Sequence, residues 1–153
     1  MNPKLWTAAW LLCSGWALAA EPPIGYVKTV KGQAFVASSS QRQAAVVGAP
    51  VFQGNRLITG PQGSLGVTFK DDTVMSFGPD TELVVDEYLY APREGKLKLG
   101  TRLSKGTLNY VSGAIAKLKP EAVSVTTPTG TIGVRGTHFV VKVDAGPTAV
   151  AGR

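Results

Sequence analysis

Apolar residues in this chain return at every second position. In Ser64 to Lys70 they are Leu65, Val67 and Phe69; in Lys96 to Leu103 they are Leu97, Leu99 and Leu103; in Ala122 to Thr127 they are Val123 and Val125. A period of two sends successive side chains to opposite sides of an extended backbone, so each run reads as a strand with one dry and one wet face. Turn residues punctuate the runs: Lys31-Gly32, Gly54-Asn55, Gly60-Pro61, Asp71-Asp72, Gly78-Pro79, Pro92 to Gly95, Lys105-Gly106 and Pro128 to Gly130. Short strands at such intervals predict an all-β chain, a single compact domain built as a sandwich, a roll or a solenoid-like coil of sheet. Only residues 112–119 leave room for a short helical turn, which Pro120 stops.

Two segments resemble each other. Gly63-Ser64-Leu65-Gly66-Val67 is echoed by Gly130-Thr131-Ile132-Gly133-Val134. Glycines three apart leave gaps in a strand face where another backbone or a ring can come close. The second segment changes parity: Ile132 and Val134 are even-numbered, whereas Phe139, Val141 and Val143 are odd-numbered. One regular strand cannot bury both sets on one face. An irregularity is therefore expected at Arg135-Gly136-Thr137, with Gly136 able to take positive φ. At that corner the Arg135 guanidinium is expected to clamp loop carbonyls or a carboxylate such as Asp72. The residues expected to carry the structural motif are Gly60, Asp72, Gly133, Arg135, Gly136 and Thr137.

The N-terminus bears on the compartment. Lys4 is the one charged residue before Glu21, and residues 5–20 read LWTAAWLLCSGWALAA. A positive start, an apolar stretch and a small-residue end form a secretory signal. Ala17-Leu18-Ala19 places cleavage before Ala20, with Glu21 the near alternative. The apolar run falls short of the ~20 residues of a spanning helix. Lipid attachment at Cys13 is disfavoured by Leu12, where a small residue is needed. Residues 1–19 are thus read as a signal peptide, 20–144 as the β-domain and 145–153 as a short tail. Cleavage leaves 134 residues with 15 basic and 10 acidic side chains, and removes the single Cys and all three Trp. No disulfide is then possible, and stability must come from a core, which a chain of this length can build. The expected location is the periplasm or the exterior, with no transmembrane segment after processing. Export argues against nucleic acid as partner despite the positive charge. The scattered lysines read as wet strand faces, with at most a loose association to anionic envelope polymers or lipid head groups.

A family resemblance runs along the mature chain. Gly25-Tyr26-Val27 and Val30 to Val36 resemble the opening strands of FecR domains. Gly48 to Gly60 resembles their next segment, with Asn55 where Asp is usual. Ser64 to Pro79 resembles a strand, an Asp-Gly-Thr turn and a strand, with Asp72 in place of the customary Gly. Val125 to Pro128 and Val134 to Phe139 resemble the closing motif. The best-known members span the inner membrane and relay an iron-siderophore signal from an outer-membrane receptor to a cytoplasmic sigma factor. The chain is expected to lack the anti-sigma segment, the membrane helix and the long receptor-binding part. What the resemblance implies is an extracytoplasmic domain that binds another envelope protein.

Catalytic chemistry has little to build on. His138 is the single histidine and reads as a structural or surface residue. Asp71 and Asp72, being adjacent, point to opposite strand faces and read as turn residues rather than a catalytic pair. Asp80, Glu82, Asp86 and Glu87, beside Tyr88 and Tyr90, read as a solvated strand face. Gly130-Thr131-Ile132-Gly133 lacks the Gly-Lys-Ser/Thr of a phosphate loop. The expectation is a non-enzymatic interaction or signalling module without metal or cofactor. The alternative is a structural protein held to peptidoglycan or lipopolysaccharide by basic charge.

Overall fold

The computed structural model describes residues 19–144. Residues 1–18, nearly all of the stretch 1–19 expected as a signal peptide, and the expected tail 145–153 lie outside them.

Among the described residues, twelve strands form one continuous sheet folded into two leaves. In chain order they are β1 (Gly25–Lys31), β2 (Ala34–Ala37), β3 (Arg42–Ala44), β4 (Pro50–Val51), β5 (Arg56–Thr59), β6 (Ser64–Phe69), β7 (Val74–Phe77), β8 (Glu82–Ala91), β9 (Lys96–Val111), β10 (Val123–Thr127), β11 (Gly130–Gly133) and β12 (His138–Val143). Leaf A has the order β4-β1-β6-β7-β9-β12, all antiparallel. Leaf B has the order β3-β2-β5-β8-β9-β10-β11, antiparallel except for the parallel pair β9–β10.

β9 belongs to both leaves. Residues 96–105 pair with β8, and residues 99–102 also pair with β10. Residues 106–111 pair with β7 and β12. The bend sits at Gly106, whose φ is +93. A Cβ there would collide with Thr81. The Lys105-Gly106 dipeptide, expected to end a strand, instead folds one of 16 residues. Bonding partners on both halves hold the strand extended through a turn-like dipeptide. β9 and the 10-residue β8 are the long strands of a sheet otherwise built of the expected short ones.

Three earlier passages between leaves fall on the same seam. β1 crosses to β2 at Gly32, β5 to β6 at Gly60–Gly63, and β7 to β8 at Gly78–Thr81. Gly60 N–H donates to the Gln33 carbonyl at 2.8 Å, and the Gly60 carbonyl accepts from Gly63 and Asp80 N–H, each at 3.0 Å. Thr59 and Thr81 hydroxyls donate to the Gly78 carbonyl at 2.6 and 2.9 Å. Their oxygens accept in turn from Thr81 N–H (2.9 Å) and Thr107 N–H (3.0 Å). Buried threonines thus satisfy backbone groups that the crossings take out of the ladders.

The core lies between the leaves and follows the parity of the sequence. From β6 it takes Leu65, Val67 and Phe69; from β9 Leu99, Leu103, Leu108 and Tyr110; from β10 Val123 and Val125. One short helix, α1 (Ala114–Leu118), leaves β9 and buries Ile115 and Ala116. Single 3-10 turns occupy Pro92–Glu94 and Pro120–Ala122. Pro120, expected as a stop, ends α1 and opens the second of these, since proline is tolerated at a helical first position.

Candidate functional site

The β6–β7 turn holds a buried carboxylate. Asp71 is 1% exposed. Its oxygens accept from the Thr73 hydroxyl (2.6 Å), the Tyr88 hydroxyl (3.0 Å) and the Ile115 N–H (3.2 Å). Its N–H donates to the Tyr88 oxygen at 3.0 Å, and its carbonyl accepts from Ala114 N–H at 2.7 Å. One residue ties leaf A, β8 of leaf B and the start of α1. Such a charge is tolerated in the interior because several donors face it. Burial, then the neighbouring Asp71 charge, pushes the Tyr88 phenol well above the usual range. Phe69 stacks on Tyr88 with ring centroids 5.6 Å apart.

Tyr110 completes this cluster. It is fully buried, stacks on Phe139 at 4.7 Å, and its hydroxyl has no partner with hydrogen-bond geometry. Burial raises its phenol to about 12, with the Thr73 and Ser112 hydroxyls partly opposing the effect. Ser112 next door fastens the closing corner: its hydroxyl donates to the Gly136 carbonyl at 2.7 Å and its N–H to the Thr137 carbonyl at 2.8 Å. Gly113 has to be glycine, because a Cβ would strike the backbone of Asp71 and Thr73.

The motif residues fall in three places. Gly60 lies in the seam between the leaves. Asp72 is exposed in the β6–β7 turn with φ +65. Gly133, Arg135, Gly136 and Thr137 form the passage from β11 in leaf B to β12 in leaf A, and Gly136 has φ +128. A shallow groove of about 710 Å³ runs beside this passage, lined by Pro120, Glu121, Val123, Ser124 and residues 133–136. The clamp expected of Arg135 does not form: the side chain is exposed and has no carboxylate or carbonyl partner among the described residues. Ser112 holds the corner instead. The likeness of the two glycine segments also stops at sequence. Gly63 is pressed against Gln33 at the seam and Gly66 against the Thr29 hydroxyl within leaf A, whereas nothing approaches Gly130 or Gly133 on the edge strand β11.

Asp71, read as a turn residue, is the polar centre that sequence reasoning missed. The signal was its parity: 65, 67, 69, 71, 73, 75 and 77 all point inward. His138 is exposed and pairs its Nε2 with Asn109 Oδ1 at 2.6 Å. Among the described residues no three His, Cys, Asp or Glu side chains cluster as metal ligands, and no helix is long and apolar enough to cross a membrane.

The fold defines an all-β domain whose buried polar groups hold strands and turns together and leave a groove and a strand edge open. Residues 55–151 match the family described as FecR protein. The match spans more than half of the sequence, and the chain belongs to the FecR family. Membership marks it as a signalling-related domain. The stretches Gly25–Val36 and Gly48–Gly54, also likened to the family, precede the match. No curated protein and no solved structure gives a match.

Proposed function

We propose that the chain is an exported, non-enzymatic interaction domain that takes an extended segment of another envelope protein along β11. The observation that carries this reading is the free edge of β11 beside the groove, with Arg135 exposed at its end. Among the described residues β11 pairs with β10 alone, which leaves the N–H and C=O groups of its other edge to an added strand. Arg135 offers a planar fork to a carboxylate on that strand. Export rests on the secretory pattern of residues 1–19. Cofactors and metals have no part in this reading.

A photo-crosslinking residue at Ile132 tests it, with Val46, on a loop between β3 and β4, as the control position. Export-competent cells should give one discrete, salt-resistant adduct from position 132 and none from 46, and Arg135→Glu should abolish it. Adducts at neither position, with association to envelope material that salt removes, would replace this reading by that of a protein held through charge.

A further inference from the structure

The two outer faces of the molecule differ in how their charges are paired. Leaf B answers three of its cations across strands, Arg56 with Glu82 at 3.4 Å, Arg102 with Asp86 at 3.1 Å and Lys98 with Glu87 at 3.2 Å, while Arg42, over the Phe35 ring, and Lys105 have no carboxylate in salt-bridge reach among the described residues. The strands of leaf A, counting residues 106–111 of β9, contain no Asp or Glu. Their outward side chains form rungs across the sheet. One rung reads Tyr26, Thr68, Val74, Val111, His138; the next reads Thr29, Gly66, Ser76, Asn109, Val140. On β1, Lys28 and Lys31 are exposed without a carboxylate partner among the described residues, and Lys70 follows β6 in the same condition. Across the sheet, β12 presents Lys142, whose contact is the exposed Asp144 at 3.4 Å. The other carboxylates near the rim are Asp72 and Asp80, both in turns.

Leaf A therefore shows a platform of hydroxyls and amides with cations on two sides. From β1 to β12 it is about 19 Å wide at ~4.8 Å per strand. Tyr26 is 40% exposed and lies opposite Pro50, an apolar ring surface at the margin. We propose that this face binds an anionic polysaccharide. Lysines at the rims meet carboxylate or phosphate groups, Thr68, Ser76 and Asn109 exchange hydrogen bonds with sugar hydroxyls, and Tyr26 packs on a sugar ring. A lipid surface fits less well, because the apolar patch of Val74, Val111 and Val140 is small, bounded by Ser76, Asn109 and His138, and separated from Tyr26 by Thr68. An acidic protein would use the charge and leave the hydroxyl rungs idle. The site lies on a different face from the β11 groove, so it stands or falls separately from the strand-addition reading.

Polygalacturonate, polyglutamate and phosphatidylglycerol vesicles, offered to the protein purified from its producing cells, test the proposal. Polygalacturonate should bind most tightly, and salt should weaken it. Lys28→Glu with Lys31→Glu should weaken it about tenfold, whereas Lys98→Glu with Arg102→Glu, the same change in net charge on leaf B, should leave it within about twofold. Tyr26→Ala, which alters no charge, should also weaken polygalacturonate alone. Thermal melting of each variant confirms that the fold is retained. Equal binding to polyglutamate or vesicles, equal loss from the leaf B pair, or no effect of Tyr26→Ala would each overturn the proposal.

Discussion

At the β6–β7 turn, Asp71 is enclosed by three donors while its neighbour Asp72 stands in solvent with φ +65. Replacing Asp71 with Asn turns one acceptor into a donor that faces other donors, so Asp71→Asn should cost about 2–3 kcal/mol in chemical denaturation. Asp72 occupies a left-handed position that Gly adopts without strain, and Asp72→Gly should raise stability by up to about 1 kcal/mol in the same measurement. The tyrosines bear on alkaline stability. Tyr88 and Tyr110 are both raised by burial, so the folded state resists their ionisation and the unfolded state does not. Their contribution is complete below the ordinary tyrosine value of about 10 and is lost as pH rises through the folded values, about 12 for Tyr110. The Tm should therefore fall above about pH 10. Tyr110→Phe should flatten that fall. It should also raise the Tm at neutral pH, since it removes a buried hydroxyl with no partner.

At the scale of elements, the corners sort the glycines. Gly106→Val drives a side chain into Thr81 from a left-handed backbone and should prevent the bend in β9, giving no cooperative melting transition. Gly136→Val meets open space and should cost only the backbone strain, about 1–3 kcal/mol. Gly133→Ala has neither penalty and should melt within about 0.5 kcal/mol of the parent. The parity of apolar residues made the inward faces of β6, β9 and β10 legible in the sequence, and the even-to-odd change located the β11–β12 passage. What was not legible depends on neighbours distant in sequence. Lys105-Gly106 has the composition of a turn, and only β7, β8, β10 and β12 together keep it inside a strand. Arg135 had a suitable partner in Asp72 on paper, but Ser112, an unremarked residue at the end of β9, holds the corner. Asp71 could have been placed by parity alone, had its charge not argued for the surface.

At the scale of the molecule, the division of charge between leaves gives each face a different task. On leaf B three cross-strand pairs answer Arg56, Lys98 and Arg102, and contribute little stability individually because they are largely solvent-accessible. Leaf A leaves its lysines for something outside the chain. Export would deliver this face to an envelope rich in anionic polymers, and processing is directly measurable. Intact-mass analysis of periplasmic material should find a chain beginning at Ala20 or Glu21, with tyrosine-like emission because the three Trp lie at positions 6, 10 and 16. A retained N-terminus or a lipid on Cys13 would contradict export by cleavage.

The sharing of β9 also sets the order in which the chain can fold. Its partners β7 and β8 are made before it and β10 and β12 after it, and each leaf closes only on it. β8 can pair with residues 96–105 as soon as these emerge, but until residues 108–111 have left the ribosome β7 lacks its partner and leaf A has nothing to close against. Pairings this distant in sequence form slowly compared with local ones. Were the chain exported as proposed, a topology that closes late would help it stay unfolded until passage is complete.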